Sequence, residues 1–103
     1  MASITGAYAE RGLGVYAASK AALLNLVETL NVEESPHGVT ATALAPGYVD
    51  TDMTAWVADR VSPDSMIPVS DITQVVDMLL CLSPRTVINR IVLSRSGSSG
   101  YSA

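Results

Sequence analysis

The stretch from Val15 to Glu34 constrains this chain more than any other. Its apolar positions include Ala17, Ala21, Leu23, Leu24, Leu26, Val27 and Leu30, which wrap around far more than one narrow stripe of a helix. So wide an apolar girth needs other structure on both sides, a sheet on one and a partner on the other. "SPHG" at 35–38 stops the helix with Pro36 and Gly38, and "VTATALA" over 39–45 is short, uncharged and β-leaning, the pattern of an interior strand.

Residues 1–5 read as the end of a strand, and "GAYAERGLG" after them has the glycines and charges of a loop. Strand end, loop, helix and buried strand in that order describe a βαβ crossover, with its two strands parallel and the helix packed over them. Residues 46–68 form a loop; its part from Thr54 to Pro68, with Trp56, Pro63 and Pro68, reads as a mobile flap. A second helix is expected over 70–82. Ser70 suits its N-cap, Asp71 suits the positive end of its dipole, and Ile72, Val75, Val76, Leu79 and Leu80 supply a stripe of 3.6-residue period. "TVINRIVLS" at 86–94 reads as a final strand, and the small, polar tail over 95–103 as frayed. No internal repeat is present. The fold class is α/β. A parallel sheet wants helices on both faces, and two helices cannot cover one, so the sequence reads as the C-terminal part of a doubly wound parallel-sheet domain with its first half absent.

With 103 residues there is room for one core. Apolar residues make up 49% and charged residues 16%, which favours a packed fold over disorder. Six Lys and Arg against ten Asp and Glu give a net charge of −4 without a basic cluster, so nucleic acid is a poor partner. His37 is the sole histidine; neither a zinc cluster nor a nucleophilic triad can be assembled. The lone Cys81, in the apolar run "MLLCL", reads as a buried small hydrophobe in a reduced chain. "MASITG" carries no secretory signature, and no run approaches the roughly 20 apolar residues of a spanning helix. The expected location is the cytoplasm, away from membranes.

Tyr16 and Lys20 serve the core less well than leucine or alanine would. Positions i and i+4 of a helix lie about 6 Å apart along the axis and about 40° around it, so the two share a face. A phenol with an ordinary pKa near 10 transfers protons poorly at neutral pH until something favours the phenolate, and an adjacent ammonium does so. Shifting a phenol by about 3 units needs roughly 4 kcal/mol. One ammonium at about 4 Å in water supplies only about 1 kcal/mol. The rest has to come from a drier site or further positive charge.

Ser3 stands in "ASITG" before Tyr16, and Pro46 opens "PGYVDTDM" after it. Together with Tyr16-x-x-x-Lys20, these words and spacings resemble the short-chain dehydrogenases/reductases, near the 3-oxoacyl carrier-protein reductase type, over roughly residues 2–93. The resemblance implies a Rossmann-like domain, an NAD or NADP cofactor, and hydride transfer between nicotinamide and a small carbonyl or alcohol substrate. It implies that Tyr16 is the general acid in reduction and the base in oxidation. Lys20 holds the nicotinamide ribose hydroxyls and favours the phenolate, and Ser3 donates to the substrate carbonyl oxygen. Pro46 and Gly47 shape the turn beneath the nicotinamide, Val49 meets its carboxamide through the backbone, and Thr51 bonds to the carboxamide or the pyrophosphate. In the family, the helix matching 15–34 packs in a subunit interface, which implies a homo-oligomer or pairing with a complementary half.

Rival readings stand beside these. Ser3 can be an ordinary polar residue and Thr51 a loop residue satisfying backbone, while Asp50 and Asp52 read as solvated or capping groups. Tyr8, Tyr48 and Tyr101 read as packing or surface residues. Met53, Trp56 and Met66 either line a substrate pocket or simply pack. The family's glycine-rich turn, which binds dinucleotide, is not matched by Gly6, Gly12 and Gly14, and "IVLSRSGSSG" replaces its C-terminal "VDGG". The expected product is therefore a fragment that works with a nucleotide-binding half, or, alternatively, a non-catalytic fragment acting only through self-association or subunit interaction.

Overall fold

A computed structural model describes all 103 residues. Helix α2, Gly14–Glu34, is the long apolar helix. Gly38, at φ 83°, ends the tight turn Ser35–His37 that follows it, a conformation that glycine adopts without the clash a Cβ would bring. The chain then returns as strand β1, Ala43–Pro46, buried along its whole length. It pairs in parallel with strand β2, Arg90–Leu93, in the register Ala43 with Arg90 through Pro46 with Leu93. The α/β class with parallel strands is thus present. Ala43 and Ala45 face α2 and meet its Leu24 and Val27, with Ala2 completing the cluster. Small side chains on this face let the helix approach the strand closely.

Both strands begin four residues later than their β-leaning sequence suggests. Asn31, only 4% exposed, explains the delay. Its amide nitrogen donates to the Ala41 carbonyl at 2.8 Å and to Asn89 Oδ1 at 2.9 Å, and its oxygen accepts the Ala41 N–H at 2.7 Å. The helix side chain takes the backbone groups that a longer β1 would have used, and it holds the entries of both strands together. Arg90 adds an exposed ion pair to Glu28 at 2.7 Å, a contact of little weight in water.

Residues 1–5 do not extend as a strand. The Ala2 N–H donates to the Leu44 carbonyl at 2.7 Å on the free edge of β1, and the chain then turns into the short helix α1, Ile4–Ala7. Ser3 is its N-cap: the extended residue's Oγ accepts the Thr5 N–H at 3.3 Å, which favours helix over continued strand. Gly6 belongs to α1 rather than to a loop. A Cβ there would lie 2.7 Å from the Lys20 carbonyl carbon and 2.9 Å from the Ala21 nitrogen, so its missing side chain is what lets α1 rest on α2.

Helix α3 spans Val69–Leu80. Its N-cap is Pro68, not Ser70; proline, with fixed φ and no N–H, suits the position just before a helix. No residue of α3 is buried, and Cys81 beyond it is exposed, contrary to the expectation of a core thiol. The loop between β1 and α3 contains the turns Asp52–Val57 and Pro63–Ser65. It is pinned where the Ile67 N–H reaches the Tyr48 carbonyl and the Asp50 N–H reaches the Ile67 carbonyl, both at 2.9 Å. The tail is not frayed: Ala103 is 6% exposed, and Tyr101 meets Tyr8 edge to face at 4.9 Å. The radius of gyration is 14.6 Å, against about 13 Å for a compact domain of this length. No helix is long and apolar enough to cross a membrane.

Candidate active site

The C-terminal end of β1 delivers the chain into the loop Gly47–Thr51, and the Ser3 segment leaves the opposite edge of that strand beside it. α2 begins nearby, so its first turns present Tyr16 and Lys20 to the same space. These elements enclose a cavity of about 540 Å³, within the range of small-molecule sites. All seven residues singled out from the sequence, Ser3, Tyr16, Lys20, Pro46, Gly47, Val49 and Thr51, line it. Crevices outside the carboxyl ends of parallel strands are where open α/β sheets take ligands.

The ammonium of Lys20 lies 5.6 Å from the centre of the Tyr16 ring and donates to the Met1 carbonyl at 3.2 Å. That bond uses one of its three N–H donors. Tyr16 is 40% exposed, so water screens the ammonium's field at the ring. Ser3 and Thr5 are both buried and their hydroxyls lie 2.9 Å apart. Thr5 also lines the cavity; its only advertisement in the sequence is its place two residues after Ser3.

Thr51 precedes the turn Asp52–Val57. Its N–H reaches Thr54 Oγ1 at 3.3 Å, and that hydroxyl donates to the Val49 carbonyl at 2.7 Å. The cavity-lining loop is thus fixed by its own threonine. Tyr48 lines the cavity as well, rather than serving only as packing. Its ring meets Trp56 edge to face at 6.2 Å, and the Arg95 guanidinium lies 5.8 Å from its centre.

The tail completes the enclosure. The Ala103 carbonyl accepts the Tyr48 N–H at 3.1 Å and Arg95 Nε at 2.6 Å, while the Ala103 N–H donates to Glu10 Oε2 at 3.1 Å. One residue therefore ties the loop after β1 to the loop before α2. A Cβ at Gly47 would sit 2.7 Å from that carbonyl, which gives Gly47 a local reason beyond turn geometry. Of the three apolar candidates, Met53 and Trp56 line the cavity, whereas Met66 is buried beside it in the wall of a smaller pocket. No group of three or more metal-ligating side chains is present.

A family model described as short chain dehydrogenase matches residues 1–61. The chain is 36% identical over 64 residues, 62% of its length, to 3-oxoacyl-acyl-carrier-protein reductase MabA of Mycobacterium avium. Among solved structures, a betaketoacyl-ACP reductase (FabG) from Bacteroides thetaiotaomicron is 36% identical, with a TM-score of 0.73 over 82% of this chain and 36% of that one. A blue fluorescent protein from a metagenomic library, in complex with NADPH, is 30% identical, with a TM-score of 0.74 over 99% of this chain and 43% of that one. The chain spans about a quarter of the length of the curated relatives it matches first.

Proposed function

Because the chain belongs to the short-chain dehydrogenase family, we propose that it is the carbonyl-handling part of an NAD- or NADP-dependent oxidoreductase, completed by a nucleotide-binding half. The observation that carries this reading is the shared cavity of Ser3, Tyr16, Lys20 and the Pro46–Thr51 loop at the end of β1. The residues fit the nicotinamide end of the cofactor. Lys20 keeps two N–H donors for ribose hydroxyls, and Gly47 to Thr51 offer backbone and a hydroxyl for a carboxamide. They do not include a phosphate-cradling turn, which the other half has to bring. When bound, the nicotinamide supplies or accepts the hydride at the substrate carbon.

In the reducing direction the Tyr16 phenol gives its proton to the carbonyl oxygen, and Lys20 favours the phenolate left behind. Ser3 donates a hydrogen bond to the same oxygen as charge gathers on it. Thr5 decides whether Ser3 can do so. Ser3 Oγ accepts the Thr5 N–H, and when the Thr5 hydroxyl donates across the 2.9 Å contact, both acceptor directions of Ser3 are filled and its own proton is left for the substrate. Thr5 is on this account a positioning residue.

The test joins this chain to the amino-terminal half of a relative and follows nicotinamide absorbance with carbonyl substrates. Tyr16→Phe is expected to lower kcat by about 10²–10⁴-fold, the usual worth of a general acid. Thr5→Val is expected to lower kcat roughly tenfold with KM little changed, and Thr5→Ser to restore it, because about 1.4 kcal/mol of lost orientation corresponds to that factor. A recovered rate indifferent to Tyr16→Phe would overturn the assignment. A second reading rests on Leu26 and Leu30 of α2, four apart on one face and 53% and 40% exposed: apolar surface of this kind suits self-association or seating on a complementary half.

A further inference from the structure

We infer that residues 101–103 are a releasable strap hinged at Gly100: seated, Ala103 locks the Tyr48 end of the cavity loop, and released, it frees that loop while the sheet stays intact. The observation that points to it is a change of partner between two neighbouring amides. The Gly47 N–H donates to the Leu93 carbonyl at 2.8 Å and so continues the pairing of β1 with β2, whereas the Tyr48 N–H donates to the Ala103 carbonyl at 3.1 Å. At Tyr48 the loop after β1 thus passes from the hold of the sheet to the hold of the tail. Ala103 also lines the cavity, so the strap and the loop it holds are adjoining parts of one wall.

The tail divides at Gly100. Before it, the chain is tied to itself: Ser98 Oγ donates to the Arg95 carbonyl at 2.8 Å, and Ser94 Oγ to the Gly100 carbonyl at 3.0 Å. Beyond it, Tyr101 meets Tyr8, the Ala103 N–H donates to Glu10 Oε2, and the Ala103 carbonyl accepts from Arg95 Nε as well as from Tyr48. The exposed Ser99 hydroxyl bridges the two parts, with the Tyr101 N–H at 3.2 Å and Ser102 Oγ at 3.3 Å. Gly100 has φ 85°, a left-handed conformation that glycine enters and leaves without a Cβ clash, which suits a hinge. Arg95 is the clasp: its Nε holds the Ala103 carbonyl at 2.6 Å, and its guanidinium lies 5.8 Å from the centre of the Tyr48 ring. Little apolar surface secures the strap, since Ala103 is buried but Tyr101 is 64% exposed. Segments held by polar contacts with few buried apolar ones open locally while the rest of the fold stays closed.

Amide hydrogen exchange of the full chain, resolved by NMR, separates the two neighbouring amides without cofactor or turnover. In the parent, Gly47 exchange is expected to quicken with low urea, because opening the sheet exposes surface, and Tyr48 exchange to depend little on it, because local release exposes almost none. Glu10→Ala is expected to speed Tyr48 exchange roughly tenfold, the released state being that much more populated, and to leave Gly47 as it was. Glu10→Gln should keep the parent rate, because its amide oxygen still accepts the Ala103 N–H. Deleting residues 101–103 should give the fully released rate at Tyr48, at least as fast as in Glu10→Ala, with circular dichroism confirming the fold of each variant. Equal urea dependence at the two amides, equal speeding of both in Glu10→Ala, a Tyr48 rate that neither Glu10→Ala nor the deletion moves, or Glu10→Gln exchanging as fast as Glu10→Ala each overturns the inference. No nicotinamide enters the measurement, so a failed enzyme assay leaves the strap standing, and a failed strap leaves the oxidoreductase reading untouched.

Discussion

The two principal helices pair with their surroundings in opposite ways. α2 is apolar around most of its girth and buries Leu24, Val27 and Asn31, whereas α3, with the cleaner one-sided stripe, buries nothing. Periodicity announces which face of a helix is apolar, but burial depends on whether another element arrives to cover it. α2 has β1 beneath it and α1 against it through Gly6. α3 only lends Val69 and Ile72 to the cavity wall and leaves Val76, Met78 and Leu80 at 38%, 43% and 78% exposure.

The sharpest way to break this contrast is at Leu24, which is 3% exposed in the α2–β1 cluster. Leu24→Ala removes buried methyl groups and leaves a cavity, so it is expected to cost about 2–5 kcal/mol in urea unfolding followed by circular dichroism. A loss under about 1 kcal/mol would mean that α2 is no better packed than α3.

Asn31→Ala comes next. It leaves the Ala41 backbone and Asn89 without their partner, and the expected cost is about 1–3 kcal/mol. Hydrogen exchange should show faster exchange at Ala43 and Gly47, whose amides donate to Asn89 and Leu93 across the two strands. If exchange quickens only within α2, Asn31 supports the helix and not the strand entries.

Asn31 also shows where the sequence ran out. A single asparagine in an apolar helix carries no local sign that it will bond to residues 10 and 58 positions away, so strands expected over 39–45 and 86–94 pair only over 43–46 and 90–93. The tail failed for a related reason. "RSGSSGYSA" is small and polar, yet Ala103 is held by Tyr48 and Glu10, both remote in the chain, and by Arg95 at the start of the tail itself. Cys81 failed in the other direction: "MLLCL" looks like core, but nothing covers the end of α3. By contrast, the convergence of Ser3, Tyr16, Lys20 and Pro46 to Thr51 on one cavity was legible, because strand, helix and loop order already bring those positions to one end of β1. Thr5 and Tyr48 were not, since each enters the site through a contact and not through a spacing.

The smallest expected effect concerns α3. Val76→Ser and Leu80→Gln remove apolar surface that water already reaches, so each should change the unfolding free energy by no more than about 0.5 kcal/mol. Their consequence should appear instead in association: exposed valine and leucine four apart on one helix face favour contact with another apolar surface, and light scattering should report a lower apparent mass for the double variant at equal concentration. If either change costs more than about 1 kcal/mol, the α3 stripe is covered in solution, because only a covered side chain loses that much on truncation. Whether that cost then depends on protein concentration separates the two ways of covering it. A concentration-dependent loss means that another copy supplies the surface, and a concentration-independent one means that α3 folds back on its own chain and the contrast with α2 disappears.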